Sequence, residues 1–232
     1  MSRPRRHEIT CPVCGTTGEF ILWESLNNVL NPDEAQQLID GSLFTYRCPH
    51  CGAKTDVVYP CLYHDMKEHA MVQLVDKGSL DEAIRMLDKL QADGMLARMT
   101  AEANYRHRLV TSQNDLREKA MLFRDGLDDR AMEVLKLLVL KQLAETETDF
   151  EEFMSNGILL YVGQTTAEEI EFEWFIEQPD GSWSKPLAFS VPREHYMQAE
   201  QIVEMLGQRI APTYIIDRDW TSQILLEKEN DN

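Results

Sequence analysis

The chain has 232 residues, 43% of them hydrophobic, which is enough to bury a core in one large or two modest domains. Its 40 acidic residues outnumber its 23 lysines and arginines. The formal charge of −17 argues against nucleic-acid binding that is driven mainly by electrostatic attraction. No apolar run approaches the roughly 20 residues of a membrane span, and none follows the basic N-terminus as in a secretory signal, so we expect a cytoplasmic protein.

Four of the five cysteines lie in two near-identical pentapeptides, CPVCG at 11–15 and CPHCG at 48–52, with 33 residues between the pairs. Two residues between thiols let one tight turn present both sulfurs to the same ion, and the glycine that follows suits a positive φ. Since disulfides do not persist in a reducing compartment, the duplication favours a structural zinc site over a redox dithiol, an iron–sulfur site or another metal. The predicted ligands of one Zn²⁺ per chain are Cys11, Cys14, Cys48 and Cys51.

The spacer between the two pairs is longer than the about 15 to 20 residues of ordinary zinc ribbons. Residues 31–34, NPDE, are typical of a helix start with asparagine as N-cap and proline in the first turn, and the helix should end at Gly41. Strands are predicted at 20–23, 43–47 and 54–59. The pattern therefore predicts a zinc-ribbon hairpin that carries an inserted helix.

Cys61 and His64 follow this hairpin in the segment YPCLYHD. They are candidates for spare metal ligands or for a Cys–His nucleophile pair. Four thiolates already complete a closed tetrahedral site, however, and catalytic zinc keeps an open position. We therefore interpret Cys61 as a small buried hydrophobe and His64 as a packed or exposed polar residue.

These segments resemble the CpXC family, a bacterial and archaeal group named for its two C-P-x-C motifs. Besides the two pentapeptides, the resemblance rests on WESLNNVLNPD at 23–33, GSLFTYR at 41–47 and YPCLYHDM at 59–66, and it continues near FRDGLDDRAMEVLK at 123–136. It implies zinc-ribbon-like metal binding by the four cysteines and carries over no catalytic residue. Cys61 departs from the aliphatic residue expected at its position.

The central part of the chain is predicted to be mostly helical. Residues 79–82, SLDE, form a capping-box pattern ahead of one helix, 111–115 start another, and 127–144 have the period of a strong amphipathic helix. Short strands are predicted at 71–75 and 105–110. His107, between two arginines, is interpreted as part of a solvated strand edge rather than as an anion site.

The C-terminal third is the most acidic part of the chain, because residues 151–232 hold 16 acidic and 5 basic side chains. Residues 145–149 lack an apolar anchor and predict a linker ahead of it. The elements predicted within this third are strands at 158–163, 169–177, 183–191 and 214–217 and a helix from 192 to 206. They indicate a small α+β domain, a sheet meander with one or two covering helices.

Adjacent carboxylates at 128–129, 151–152 and 168–169 are weak catalytic candidates, since such pairs usually lie in solvent at helix ends. The sequence contains no P-loop, dinucleotide-binding, nucleophile-elbow, HExxH or EF-hand motif. No catalytic residue is predicted.

The predicted fold class is α+β in three parts: a zinc-ribbon-like β unit with an inserted helix at 1–66, a helical extension at 67–147, and an acidic α+β domain at 150–232. The predicted function is non-enzymatic: a structural Zn(Cys)4 ribbon organises a surface for a protein partner, while the oligomeric state stays open.

Two alternatives remain. An enzyme would have its site near His64 and Asp65, as a hydrolase with an unrecognised active centre. A nucleic-acid-associated zinc ribbon would need a local basic patch despite the acidic background, drawn from Arg3, Arg5, Arg6, Arg47 and Lys54.

Overall fold

A computed structural model describes residues 2–94, 98, 105–144, 157–164, 166–176, 184–207 and 210–230. These residues form six α-helices and three β-sheets, which confirms the α+β class. Within them, every helix is too short or too polar to cross a membrane. Contacts between residues group the chain into two compact units, Met1–Ala120 and Met121–Asn232. The division into three parts at 66 and 147 stays a prediction.

The first unit is built on a five-stranded mixed sheet. Its strands are β1 (Arg3–Thr10), β2 (Thr17–Asn27), β5 (Cys61–Asp65), β6 (Ala70–Leu74) and β7 (Arg106–Val110), in the order β1-β2-β5-β6-β7. β1 pairs antiparallel with β2 and β5 with β6, whereas the pairs β2–β5 and β6–β7 are parallel. Parallel neighbours need a long crossover, and both crossovers here contain a helix.

The crossover between β2 and β5 contains helix α1 (Pro32–Asp40) and a small hairpin, β3 (Thr45–Arg47) and β4 (Lys54–Asp56). α1 ends at Gly41, which has a φ of 82° and donates its N–H to the Leu38 carbonyl, so both predicted ends of this helix are confirmed. The predicted capping role of the Asn31 side chain is wrong. This side chain makes no capping hydrogen bond, and only the Asn31 carbonyl takes part, by accepting the Ala35 N–H.

The second crossover contains a 3-10 turn (Lys77–Ser79) and helix α2 (Leu80–Ala92). The capping box predicted at 79–82 does not form, because Ser79 has φ −102° and ψ 1°, outside the extended conformation of an N-cap, and its side chain makes no capping bond. Two helices follow β7, α3 (Gln113–Arg124) and α4 (Asp129–Ala144), as the sequence predicts.

The second unit contains a three-stranded antiparallel meander of β8 (Gly157–Gly163), β9 (Glu169–Ile176) and β10 (Leu187–Pro192), with β9 in the centre. Helices α5 (Arg193–Leu206) and α6 (Arg218–Asn230) follow, and both pack against α4. In β9, the alternate residues Ile170, Phe172 and Trp174 are all buried, which is typical of a strand with one face against a core.

Some predicted elements differ from the structure. The strand predicted at 214–217 is wrong: Asp217 instead begins α6, where its Oδ1 atom accepts the Trp220 N–H at 2.9 Å. Pro192 closes β10 and precedes α5 as its N-cap rather than lying in its first turn. The predicted linker at 145–149 lies outside the described residues.

Candidate metal centre

Each Cys-x2-Cys pair occupies a tight turn between two antiparallel strands. The first pair joins β1 to β2, and the second joins β3 to β4. In each turn the first cysteine is buried, Cys11 at 1% and Cys48 at 2% exposure, whereas the second, Cys14 or Cys51, is exposed. The two halves of the candidate site therefore have the same orientation relative to solvent.

The two turns also share their backbone hydrogen bonds. The N–H of Gly15 donates to the Cys11 carbonyl at 2.9 Å, and the N–H of Gly52 donates to the Cys48 carbonyl at 3.0 Å. Both glycines have positive φ, 72° and 74°, as the motif predicts. The sequence repeat is thus a repeat of one metal-binding knuckle.

The four sulfur atoms lie within 4.8 Å of one another. Two of these distances join the two knuckles: Cys14 Sγ lies 3.6 Å from Cys48 Sγ, and Cys11 Sγ lies 3.7 Å from Cys51 Sγ. A tetrahedral centre with metal–sulfur bonds of about 2.3 Å has sulfur–sulfur edges of about 3.8 Å, so the donor set fits such an ion. The cluster can hold a metal ion only when both knuckles contribute.

A small apolar cluster supports the buried side of the site. Cys11, Cys48 and Tyr46 form its centre, and the Phe20 ring packs edge-on against Tyr46 with 6.2 Å between centroids. The Tyr46 hydroxyl is buried, without a hydrogen-bond partner in the described part of the chain, at a place that a Cβ on Gly18 would overlap. Gly18 is therefore required for the position of this ring.

Hydrogen bonds within the knuckles favour thiolates. The Thr16 hydroxyl and N–H lower the pKa of Cys14 to about 5, and the N–H groups of Cys51 and His50 lower the pKa of Cys48 despite its burial. For Cys51, the Ala53 N–H acts in the same direction, but the neighbouring sulfurs and burial outweigh it and raise the pKa to about 12. The neighbouring sulfurs thus oppose ionisation of Cys51, and a bound cation is needed for all four sulfurs to be thiolates together.

Cys61 lies outside this group of four sulfurs. Its side chain is buried in β5, and burial raises the pKa of its thiol to about 12, which keeps it protonated and unreactive. This agrees with its interpretation as a small buried hydrophobe.

His64 also takes no part in the sulfur cluster. Its Nδ1 atom lies 3.1 Å from Asn27 Nδ2, and its Nε2 atom lies 2.8 Å from the Tyr105 hydroxyl. Asp65 accepts the N–H groups of Lys67 and Glu68 through one carboxylate oxygen. The structure does not bring Cys61 and His64 together as a nucleophile pair.

The arginines of the possible basic patch are neutralised in part by glutamates of β2. Arg5 lies 2.6 Å and Arg3 3.7 Å from Glu24, and Arg6 lies 3.5 Å from Glu19. The two remaining members of the patch, Arg47 and Lys54, face each other across the second hairpin. This arrangement gives no additional support to a nucleic-acid site.

Of the three candidate carboxylate pairs, the one at 128–129 contains a residue with a structural role. Asp128 accepts the Arg130 N–H and pairs with its guanidinium at 2.6 Å, which lowers the pKa of Asp128 although burial alone would raise it. The pair at 168–169 is exposed, and the pair at 151–152 lies outside the described residues. Among the described residues, only the four cysteines form a group of metal-ligating side chains close enough to share an ion.

Comparison with protein families matches residues 9–136, more than half of the chain, to the family described as CpXC protein. The chain belongs to the CpXC family. The resemblance noted from the motifs is thereby confirmed. Comparisons with curated proteins and with solved structures give no match.

Sequence reasoning missed several residues that shape the CpXC site. Thr16 and Tyr46 contact or approach the sulfurs, and Gly18 makes room for the tyrosine ring. A threonine directly after the C-x2-C-G turn was a usable signal, because a hydroxyl at that position reaches the second sulfur. The proximity of Gly18 to Tyr46 depends on how the two hairpins pack, which spacing alone does not reveal.

Proposed function

We propose that this CpXC protein is a non-enzymatic zinc-binding protein, in which one structural Zn²⁺ held by four cysteines organises a surface for a protein partner. One observation carries the proposal: four sulfurs from two separate knuckles converge to within 4.8 Å. The ligands are Cys11, Cys14, Cys48 and Cys51.

The donor set favours zinc among the common metals. Thiolates are soft ligands that select Zn²⁺, Cu⁺ and iron–sulfur clusters, and a tetrahedral all-sulfur set is the usual structural zinc site. Since the protein fills all four positions, no site is left for a water or substrate on the metal. Zinc bound in this way contributes to folding rather than to catalysis.

Two exposed valines support the assignment of an interaction surface. Val13, between the ligands Cys11 and Cys14, is 72% exposed, and Val58, after β4, is 79% exposed. Single exposed apolar residues are common, but a metal-anchored turn holds Val13 rigidly. A rigid apolar contact loses little conformational entropy when it binds a partner. We therefore place Val13 at the centre of the proposed surface.

Metal analysis of the full chain, purified without a metal-affinity column, tests the zinc site. We expect one zinc per chain and slow release to a chromogenic chelator, because all ligands come from the protein. Iron in place of zinc, or a chain that folds without metal, would overturn this part of the proposal.

The interaction surface is tested with Val13→Ser and a matched control, Ile21→Ser, on the exposed side of β2. Chemical cross-linking should recover a protein partner with the wild type and the control but not with Val13→Ser, while all three retain zinc. Equal recovery of the partner by all three chains would show that Val13 is not part of the interaction surface. Recovery of nucleic acid with a steep salt dependence would favour the nucleic-acid alternative instead.

A further inference from the structure

A polar row crosses the five-stranded sheet on one face. Asn27 pairs with His64, His64 with Met71, and Met71 with His107, on the neighbouring strands β2, β5, β6 and β7. Directly opposed residues share a face of the sheet, so two histidines and an asparagine lie in register on it. None of these residues belongs to the four-cysteine cluster.

Asn27 fixes the tautomer of His64. The Asn27 Oδ1 atom accepts the backbone N–H groups of Val29 and Leu30, both at 3.0 Å, so its amide NH2 group must face His64. The amide therefore donates to Nδ1 of the imidazole, and a neutral His64 carries its proton on Nε2. This proton is donated to the Tyr105 hydroxyl oxygen at 2.8 Å.

The Tyr105 hydroxyl consequently has its own proton left to donate to a ligand. Two further imidazoles lie beside the tyrosine ring, with centroid distances of 5.2 Å for His69 and 6.5 Å for His107. His69 is exposed and has φ 50°, a backbone conformation rare for a residue other than glycine. The Nε2 atom of His107 is buried and has no hydrogen-bond partner among the described residues, so its interpretation as part of a solvated strand edge does not hold for this atom.

We propose that Tyr105, His69 and His107 form a binding site for the oxyanion of a small molecule, a phosphate or carboxylate group, with Asn27 and His64 as positioning residues. The ligand would accept hydrogen bonds from the tyrosine O–H and from the exposed His69 imidazole, and it would reach the buried Nε2 atom of His107 only when a neighbouring side chain moves. This site is separate from the proposed zinc site and does not depend on its function.

The hydrogen-bond directions favour an anion over a second metal ion. A metal ligand must offer a lone pair, but the Nδ1 lone pair of His64 accepts from Asn27 and its Nε2 atom carries a proton. The groups that remain at Tyr105 are donors, which suit an oxyanion.

The partly buried histidines contribute to the proposed site as neutral hydrogen-bonding groups and not as cations. Burial lowers the pKa of His107, and the positive charge of Arg108 lowers it further. Burial likewise lowers the pKa of His64, with the N-terminal ammonium and the two other histidines acting in the same direction and Asp65 opposing them. The Asp65 carboxylate already accepts hydrogen bonds from Lys67, Glu68 and Tyr63, so part of its charge is compensated locally.

The test is a titration of the full chain with inorganic phosphate and, separately, with acetate at constant ionic strength. Side-chain NMR signals of the six histidines report binding residue by residue. We expect saturable shifts at His69 and His107 and none at His7, which is exposed on β1. Saturation with phosphate alone would assign a phosphate ligand, and saturation with acetate alone a carboxylate ligand.

Two variants sharpen the test. Tyr105→Phe removes the donating hydroxyl and should weaken anion binding about tenfold or more, whereas His7→Gln should leave it unchanged. Shifts at His69 and His107 that do not saturate with either anion would overturn the proposal. Saturable binding of Zn²⁺ at these histidines, without a response to either anion, would also overturn it in favour of a metal site.

Discussion

The proposed zinc ribbon, made of the two Cys-x2-Cys turns and their flanking strands, differs from the second unit of this chain in the side chains that it buries. In the ribbon, the small apolar cluster consists of Tyr46 and two of the predicted metal ligands, with a few partly buried neighbours. In the second unit, large side chains such as Phe172, Trp174 and Tyr196 are buried. We expect a ribbon with so small a core to need its metal to fold, whereas the second unit relies on apolar burial.

Replacing a buried metal ligand should have the largest effect, because it removes the metal on which we expect the ribbon to depend. Cys48→Ser should abolish zinc binding and unfold the proposed ribbon while the second unit stays folded, because we expect only the ribbon to depend on metal. Zinc content and hydrogen exchange measured by mass spectrometry check both parts. Cys61→Ala is the matched control, since it removes a buried cysteine outside the cluster and should leave zinc bound. Equal hydrogen exchange in wild type and Cys48→Ser would contradict the metal-dependent ribbon.

Truncating a large side chain in the core of the second unit should destabilise that unit and leave the metal site intact. Phe172 is fully buried in β9, and Phe172→Ala should destabilise the second unit by about 3–5 kcal/mol through the cavity it leaves. Denaturant unfolding followed by tryptophan fluorescence measures the loss, and the zinc content should not change. Loss of zinc in this variant would show that the ribbon depends on the second core.

A smaller perturbation tests the packing around the ribbon. A Cβ at Gly18 would overlap the Tyr46 hydroxyl, so Gly18→Ala should cost about 1–3 kcal/mol and speed the release of zinc to a chelator. Gly78→Ala is the control, because Gly78 has open space around its Cα atom. If both variants release zinc at the wild-type rate, Tyr46 does not support the site.

The smallest expected effect concerns a helix cap in the second unit. Asp128 accepts the N–H of Arg130 at the start of α4, and Asp128→Ala should cost about 0.5–2 kcal/mol. Because the folded state lowers the pKa of Asp128, its contribution is present above the unfolded pKa and is lost as pH falls through the lower folded value. The unfolding temperatures of wild type and variant should therefore become equal in strong acid. A difference between them that stays constant down to acidic pH would contradict this role.

Local patterns were enough to predict the knuckles and helix α1. The C-x2-C-G turn depends on neighbouring residues, and Gly41 ends the helix through its own φ of 82°. β1 was missed because its sequence, RPRRHEIT, has almost no apolar alternation and becomes a strand by pairing with β2. α6 was missed because the apolar run before it suggested a strand, whereas Asp217 begins a helix.

The contacts of the polar row could not be predicted in the same way. Asn27, His64 and Tyr105 lie on three distant segments, and their hydrogen bonds exist only because two parallel crossovers bring those segments side by side. The sequence shows each residue type but contains no local period that links them. Such sites depend on sheet order, which follows from the whole chain.

Sulfurs of the first knuckle lie 3.6 and 3.7 Å from sulfurs of the second, so a bound ion would close a loop that contains all of β2, α1 and β3. The entropy of closing such a loop grows only with the logarithm of its length, by about 0.6 kcal/mol for each doubling. Evolution can therefore lengthen or shorten the segment between the knuckles with little effect on metal affinity. Within the family, we expect this segment to vary in length more freely than the pentapeptides vary in sequence.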